Sequence, residues 1–238
     1  DEDHPYDVYD FTWTRSRAGP EAFLDGYEGY LQADAFAGYD RLYASGKVVE
    51  VGCWAHARRK FFEAKSSKRT EANLALNRIR DLYGVEKEAK DKDKKPDEVL
   101  ALREEKSVPM LNDFRVWLEA LYARELPKSP IGQAAAYALG NWDALTRYAS
   151  DPILDIDNNT AERALRPFVV GRKNWLFAGS RRGGRAAATL YSLIRSARRH
   201  GLDTFVYIRD LLERVSTHPA NRIEEFFPDR WENRIDAI

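Results

Sequence analysis

Residues 29–56, GYLQADAFAGYDRLYASGKVVEVGCWAH, carry the clearest alternation of strand and helix signals in the chain. Residues 29–34 and 47–53 are rich in β-branched and aromatic side chains and are bounded by glycines, which predicts two strands. A short helix is predicted between them at Tyr39 to Tyr43. Residues 6–14 have a similar composition and predict a strand upstream. Strands separated by short helices indicate an α/β fold.

The pattern changes to helix near residue 57. Residues 57–150 are predicted to be helical throughout, because apolar side chains recur every three or four positions. Three stripes carry this prediction: Ala72, Ala75, Leu76, Ile79, Leu82 and Tyr83; Leu111, Phe114, Trp117, Leu118, Leu121 and Tyr122; and Ala134, Tyr137, Ala138, Trp142, Leu145 and Tyr148. Residues 86–106 are mostly charged, which predicts an exposed bend near Pro96 followed by a surface helix.

Strand signals are scarce in the last part of the chain. Residues 158–170 predict a helix that Pro167 ends or kinks. Ser180 to Arg185 predicts a basic, glycine-rich turn. Two amphipathic helices are predicted at residues 186–199 and 203–215, and the fold class is therefore mixed α/β and helix-rich.

Composition excludes several protein classes. Of the 238 residues, 44% are hydrophobic and 32% are charged, which is typical of a globular protein with a substantial core. No apolar run approaches the roughly 20 residues that span a bilayer, so no membrane segment is predicted. A single cysteine predicts a reducing compartment, and we expect the cytoplasm. The chain begins without Met or a signal peptide, so we expect its natural start to lie elsewhere.

The net charge of zero conceals one strongly basic segment. Residues 163–200 contain ten Lys or Arg and no Asp or Glu. Such a segment predicts a polyanionic partner held on one face of the protein; the alternative is a solvated basic face without a partner. The residues predicted to contact DNA are Arg163, Arg166, Arg172, Lys173, Arg181, Arg182 and Arg185.

Two carboxylates are candidates for chemistry. Asp34 ends a predicted strand, where functional groups of open α/β sheets gather, although Asp is also common in turns. Glu162 lies in the predicted first turn of a helix, where it could equally complete a capping box with Asn159. Because Glu162 is followed by the basic segment, the pair predicts phosphodiester hydrolysis. Carboxylates would hold Mg²⁺ or Mn²⁺, and the surrounding cations would hold the phosphates.

Cys53 and His56 are separated by two residues and form half of a zinc motif. No second pair with metal-binding spacing follows, so a structural zinc is not predicted. A Cys53 nucleophile with His56 as its base remains an alternative, as does a cysteine packed in the core at the end of a strand.

Four motifs together resemble one protein family, the DDE transposases of the bacterial insertion sequence 66 family. The resemblance covers nearly the whole chain. The motifs are YLQADAFAGY at residues 30–39, GCWAHARRKFFE at 52–63, DNNTAERALRPFVVGRKNWLF at 157–177 and FPDRW at 227–231.

The resemblance implies a ribonuclease H-like core made of residues 1–56 and 151–238, interrupted by a helical insertion at residues 57–150. Asp34 then matches the second Asp and Glu162 the Glu of an Asp-Asp-Glu triad that binds two divalent metals. The family's activity is implied as well: cleavage of transposon ends and transfer of the freed 3′ hydroxyl to target DNA. Cys53 and His56 match a Cys-x-x-His element with an architectural role near the site.

The first catalytic Asp of the family is expected upstream of this chain, because Asp7 and Asp10 match no family motif. The resemblance therefore implies a core truncated at its N-terminus. Two hypotheses follow. The chain is a transposase catalytic part that acts on DNA as a homo-oligomer, or it is an inactive DNA-binding and assembly module. The first predicts metal-dependent cleavage, and the second predicts salt-dependent binding without turnover.

Overall fold

Two short parallel strands lie at the beginning of the fold. The structure, a computed structural model, describes residues 5–14, 16–175 and 179–232, without the side chains of residues 172–175. Helix α1 (Ala18–Phe23) precedes strand β1 (Gly29–Gln32), and a 3₁₀ turn with helix α2 (Asp40–Ala44) connects it to strand β2 (Val48–Val51). The strands pair in parallel, from Gly29 opposite Val48 to Gln32 opposite Val51. Both predicted strands are therefore present, each shorter than its sequence signal.

Six helices follow the strands and form the main core. They are α3 (Trp54–Glu63), α4 (Arg69–Asp91), α5 (Pro96–Leu102), α6 (Val108–Arg124), α7 (Pro130–Gly140) and α8 (Trp142–Thr146). The predicted apolar stripes supply most of this core, since Ile79, Phe114 and Leu118 are completely buried. Trp54 stacks on Phe114 with ring centroids 5.8 Å apart and packs edge-on against Trp142 at 5.9 Å. These aromatic contacts join the end of the sheet to the helices.

Three further α-helices follow, and a 3₁₀ helix (Ala220–Phe226) comes after them. Helix α9 (Asn159–Trp175) contains Pro167 and continues beyond the predicted end at Val170. Helices α10 (Arg181–Arg199) and α11 (Thr204–Arg214) follow the two amphipathic patterns. In the part of the chain that the structure describes, no helix has the length and apolar character that a membrane span requires.

The strand predicted at residues 6–14 is wrong. This segment forms no strand. The backbone N–H of Tyr9 donates to Ser192 Oγ of α10 at 2.8 Å instead of to a neighbouring strand. Asp7 is held there as well. Its buried carboxylate accepts from Arg199 at 2.6 Å and from Arg195 at 3.3 Å. The composition of a segment indicates a preference for extended backbone, but it does not show which part of the chain the segment will hydrogen-bond to.

The turn predicted at Ser180 to Arg185 is also wrong, because these residues begin helix α10. Ser180 caps the helix by accepting from the backbone N–H of Gly183 at 3.0 Å. A Cβ atom at Gly184 would lie 2.5 Å from the ring of Phe11, so the glycine serves close packing rather than a turn. Ser at an N-cap outweighs the low helix propensity of two glycines.

The chain divides into two compact units. The N-terminal unit is Ser16–Glu162, and the described residues of the C-terminal unit are 5–14 and 163–232. The C-terminal unit has its own small core, in which Tyr207 donates to the carbonyl of Phe226 at 2.7 Å and Trp231 to Asp210 at 2.8 Å. The predicted mixed, helix-rich class is confirmed, with helices dominating one parallel strand pair.

Candidate functional site

Asp34 lies immediately beyond the carboxyl end of β1. The backbone N–H of Ala33 still donates to the carbonyl of Val51 at 3.1 Å, so strand pairing ends directly before Asp34. The next residue, Ala35, has φ of 58°, in the left-handed region that residues with a Cβ rarely adopt. The Asp34 side chain beside this residue is 49% exposed. Backbone strain of this kind is typical of functional sites.

The end of β2 turns directly into helix α3 and carries Cys53 and His56. The backbone N–H of Gly52 donates to the carbonyl of Ala144 at 2.8 Å, and a Cβ on Gly52 would lie 2.9 Å from the backbone nitrogen of Leu145. Only glycine fits this approach without a shift of the backbone. Cys53 is buried at the N-cap, and His56 falls in the first turn of α3 with its side chain 17% exposed.

Glu162 is placed by a loop that several elements hold. Gln32 donates to the carbonyl of Asp155 at 2.6 Å, and the backbone N–H of Trp54 donates to the carbonyl of Ile156 at 3.1 Å. Tyr83 of α4 donates to Asp157 Oδ2 at 2.6 Å. The end of β1, the start of α3 and the interior of α4 thereby fix the residues that precede α9, and Glu162 occupies its first turn.

Asn159 forms hydrogen bonds with Asp157 instead of a capping box with Glu162. Its backbone N–H donates to Asp157 Oδ1 at 2.9 Å, and its side-chain amide donates to Asp157 Oδ2 at 2.6 Å. The donor that a capping box would direct to Glu162 is thus paired with Asp157. The Glu162 carboxylate, 38% exposed on its side chain, points to His56.

The two carboxylates meet at the imidazole of His56. His56 Nε2 lies 3.3 Å from Glu162 Oε1 and 4.0 Å from Asp34 Oδ2. The two carboxylate oxygens therefore lie at most 7.3 Å apart. Two cations bridged by carboxylates stand about 3.5–4 Å apart, a spacing that this separation accommodates. Three sequence motifs distant from one another thus converge on one partly exposed site.

The Cys53 thiol lies beside this pair. Its sulfur, a nitrogen of His56 and an oxygen of Glu162 are all within 4.8 Å of one another. Burial raises the pKa of Cys53, and backbone N–H groups of Asn158, His56 and Ala55 oppose that effect only in part. Because the thiolate is the nucleophilic form, this raised pKa argues against the cysteine hydrolase alternative.

The predicted DNA-contacting residues lie on two helices of the C-terminal unit. Arg163 and Arg166 are exposed on α9, and Arg181, Arg182 and Arg185 are exposed at the start of α10. Arg172 and Lys173 belong to α9, but their side chains lie outside the described residues. Exposed guanidinium groups on helices are suited to phosphate contacts.

The residues that support the site are not evident from the sequence. The apolar stripe predicts only a core position for Tyr137, but its hydroxyl donates to the carbonyl of Asp34 at 3.4 Å. Burial raises the pKa of Tyr137 to about 12, with smaller contributions from Cys53, Asp34 and Glu50. The stripe likewise predicts a core position for Tyr83, whose hydroxyl donates to Asp157. The signal in the sequence is the tyrosine hydroxyl, because a tyrosine in an apolar stripe needs a hydrogen-bond partner for that group when it is buried.

Comparison with known proteins gives two adjacent family matches. Residues 1–186 match the Transposase IS66 family, and residues 192–228 match the IS66 C-terminal element. The chain belongs to the IS66 transposase family. The resemblance drawn from the four motifs is confirmed. No solved structure gives a significant match to this IS66 chain.

Two similar proteins come from Sinorhizobium fredii (strain NBRC 101917 / NGR234). Uncharacterized protein y4hP is 33% identical over 250 residues, covering 98% of the IS66 chain and 45% of y4hP. Uncharacterized protein y4qI is 35% identical over 225 residues, covering 90% of the chain and 41% of y4qI. The chain therefore spans less than half the length of these relatives.

Proposed function

We propose that this IS66 chain is a catalytic part of a DDE transposase that cleaves and transfers DNA strands, with Asp34 and Glu162 as metal-holding carboxylates. The observation that carries the proposal is their convergence on His56 Nε2, at 4.0 and 3.3 Å. Packing of the core does not explain why these distant residues converge, because the side chains of Asp34 and Glu162 are both partly exposed. Paired carboxylates in reach of solvent are suited to metal-assisted phosphoryl transfer.

The donor set fits Mg²⁺ or Mn²⁺. Both ions prefer carboxylate oxygens, and the exposure of Asp34 and Glu162 leaves room for water and a phosphate oxygen. When bound, the ion supplies charge stabilisation at the phosphate and the reacting oxygens. Asp34 and Glu162 would hold it, and His56, whose Nε2 lies 3.3 Å from Glu162 Oε1, would help to position that carboxylate.

The proposed fold is the ribonuclease H-like core, residues 1–56 and 151–238, with residues 57–150 inserted. It is supported by the parallel pairing of β1 with β2 and by the position of Asp34 beyond the carboxyl end of β1. Ligands of open α/β sheets bind at that end of the strands. Asp157 and the loop before α9 connect the insertion to Glu162 through Tyr83.

The proposed partner is DNA, both transposon ends and target, bound by a homo-oligomer in the bacterial cytoplasm and nucleoid. The exposed Arg163, Arg166, Arg181, Arg182 and Arg185 support DNA contact, and Arg172 and Lys173 complete the proposed set. Residues 163–200 hold no acid that would repel phosphate. Cationic side chains on two helices provide affinity that does not depend on base sequence.

One observation favours the second candidate function, an inactive DNA-binding and assembly module. Asp7, one of the two early acids that match no family motif, is buried and accepts from both Arg195 and Arg199. A carboxylate paired in this way is not available to hold a cation. On this alternative, the chain binds DNA and depends on another acid for chemistry.

Nicking of supercoiled plasmid by the 238-residue chain with Mn²⁺ separates the two functions. We expect cleavage by the unaltered chain and only background cleavage by Asp34→Asn and Glu162→Gln, with unchanged thermal unfolding. Glu104→Gln is the matched control, since Glu104 is an exposed acid of the insertion. DNA binding with no cleavage by any variant would favour the assembly module. Undiminished cleavage by Glu162→Gln would remove Glu162 from the site.

A further inference from the structure

The Cys53, His56 and Glu162 cluster offers a donor set unlike that of the carboxylate pair. One sulfur, one nitrogen and one oxygen lie within 4.8 Å of one another. Among the residues that the structure describes, no other group of three or more metal-ligating side chains is so close. The sequence shows only Cys53-x-x-His56, and folding adds the third ligand from α9.

We propose that Cys53, His56 and Glu162 form a binding site for a thiophilic divalent cation of the zinc class. Thiolate, imidazole and carboxylate are the three ligand types that zinc takes in proteins, and three protein ligands leave a fourth position open. Tetrahedral coordination places donors roughly 3.3–3.8 Å apart. The cluster reaches that spacing by small side-chain movements of His56 and Glu162, which are partly exposed.

A second observation at the same place supports a bound cation. The Nδ1 atom of His56 is buried and has no hydrogen-bond partner, although a buried polar atom normally has one. Coordination of a cation through Nδ1 would satisfy this atom. The N-cap position of Cys53 fixes the sulfur, and His56 follows one turn later on the same helix.

Binding is accompanied by loss of one proton. The Cys53 thiol exchanges its proton for the cation, so that a metal–sulfur bond forms and one proton passes to the buffer. A bound metal ion favours the thiolate because its charge lies at the sulfur.

The two cation classes compete for Glu162. Mg²⁺ and Mn²⁺ are held by oxygen ligands, here Asp34 and Glu162, whereas thiolate ligands select softer ions. Asp34 does not belong to the cluster. This consequence rests on the proposed function, in which Glu162 holds the catalytic cation together with Asp34. A zinc-class ion bound to Glu162 would then prevent that role and inhibit cleavage.

Cobalt(II) titration of the reduced 238-residue chain tests the site, because a cobalt–thiolate bond gives a charge-transfer absorption. We expect one equivalent of Co²⁺ to produce this band, Zn²⁺ to displace it, and Cys53→Ser to abolish it. Glu162→Gln should weaken Co²⁺ binding by roughly tenfold or more. Asp34→Asn is the matched control and should retain the band. Circular dichroism and thermal unfolding verify that each variant is folded.

Co²⁺ binding without the band, or a band that persists in Cys53→Ser, would overturn the proposal. Equal loss in Asp34→Asn and Glu162→Gln would overturn it as well, since the ion would then occupy the carboxylate pair. A normal band without Mn²⁺-dependent nicking supports this site while contradicting the proposed function. Mn²⁺-dependent nicking without the band supports the proposed function and contradicts this site.

Discussion

His56 Nε2 lies 3.3 Å from Glu162 Oε1 and thereby connects the first turn of α3 to the first turn of α9. The two residues belong to separate motifs of the chain. A histidine beside a candidate metal-binding carboxylate fixes the carboxylate rotamer, in the manner of the outer hydrogen bonds that support metal ligands. The local geometry of both helix starts therefore matters to the site.

Gly52→Ala should destabilise the N-terminal unit and disturb the site. The added Cβ would lie 2.9 Å from the backbone nitrogen of Leu145, so β2 and α8 must separate, at a cost of about 1–3 kcal/mol. Urea unfolding measures this loss. Gly84→Ala is the matched control, because its Cβ meets nothing within 4 Å in the interior of α4. That variant should gain about 0.5–1 kcal/mol, and equal effects of the two substitutions would contradict the packing account.

Arg103→Met should destabilise the chain by about 3–5 kcal/mol in chemical unfolding. Arg103 is buried, forms a 2.7 Å ion pair with Glu86 and donates to the carbonyls of Tyr148, Asp151 and Leu154. Removing it leaves a charge and three carbonyls without their donor.

Arg115→Met is the control for that substitution, since the Arg115–Glu119 pair is half exposed on both side chains. An exposed pair of this kind contributes at most about 1 kcal/mol. Similar losses for Arg103→Met and Arg115→Met would show that the buried network is not important for stability.

Tyr137 should make stability fall at alkaline pH. Burial raises its pKa from 10.0 to about 12, so the unfolded chain loses the phenolic proton first. Its stabilising contribution is complete below pH 10 and is lost as the pH rises through about 12. Unfolding free energies of wild type and Tyr137→Phe should converge across that window. Tyr122→Phe, at an exposed side chain, is the control, and parallel curves for wild type and Tyr137→Phe would contradict the assignment.

Simultaneous replacement of Arg181, Arg182 and Arg185 by Ala should weaken DNA binding at every sequence tested. If each guanidinium contacts one phosphate, the slope of log K against log salt decreases by about 2–3. Fluorescence anisotropy at several salt concentrations measures it. A control removes the same charge from Lys87, Lys90 and Lys128, exposed in the other unit. An equal change in both triple variants would indicate only a net-charge effect.

Periodicity predicted the elements that bury an apolar face. The stripes containing Ile79 and Phe114 lie in the core, and the runs at residues 29–34 and 47–53 contain the paired strands. These predictions succeed because burial of one face is a local property of spacing. The placement of Asp34, His56 and Glu162 at one point depended on the family motifs, since spacing alone does not bring separate segments together.

Predictions failed where a distant partner decides the structure. The charged stretch at residues 86–106 predicts a surface helix, but Arg103 is 3% exposed because its guanidinium donates to three backbone carbonyls between residues 148 and 154. Residues 6–14 contact Ser192 and two arginines of α10 instead of a strand. Neither partner is visible in the local sequence, and each would require knowledge of the tertiary fold.

Mn²⁺ binding to the 238-residue chain, followed by electron paramagnetic resonance, tests most directly whether Asp34 and Glu162 hold a cation. We predict that Asp34→Asn and Glu162→Gln each weaken binding by more than about tenfold, because each removes one charged ligand. Glu104→Gln should bind as wild type does. Wild-type affinity in both Asp34→Asn and Glu162→Gln would contradict the account, since the convergence on His56 would then have no part in metal binding.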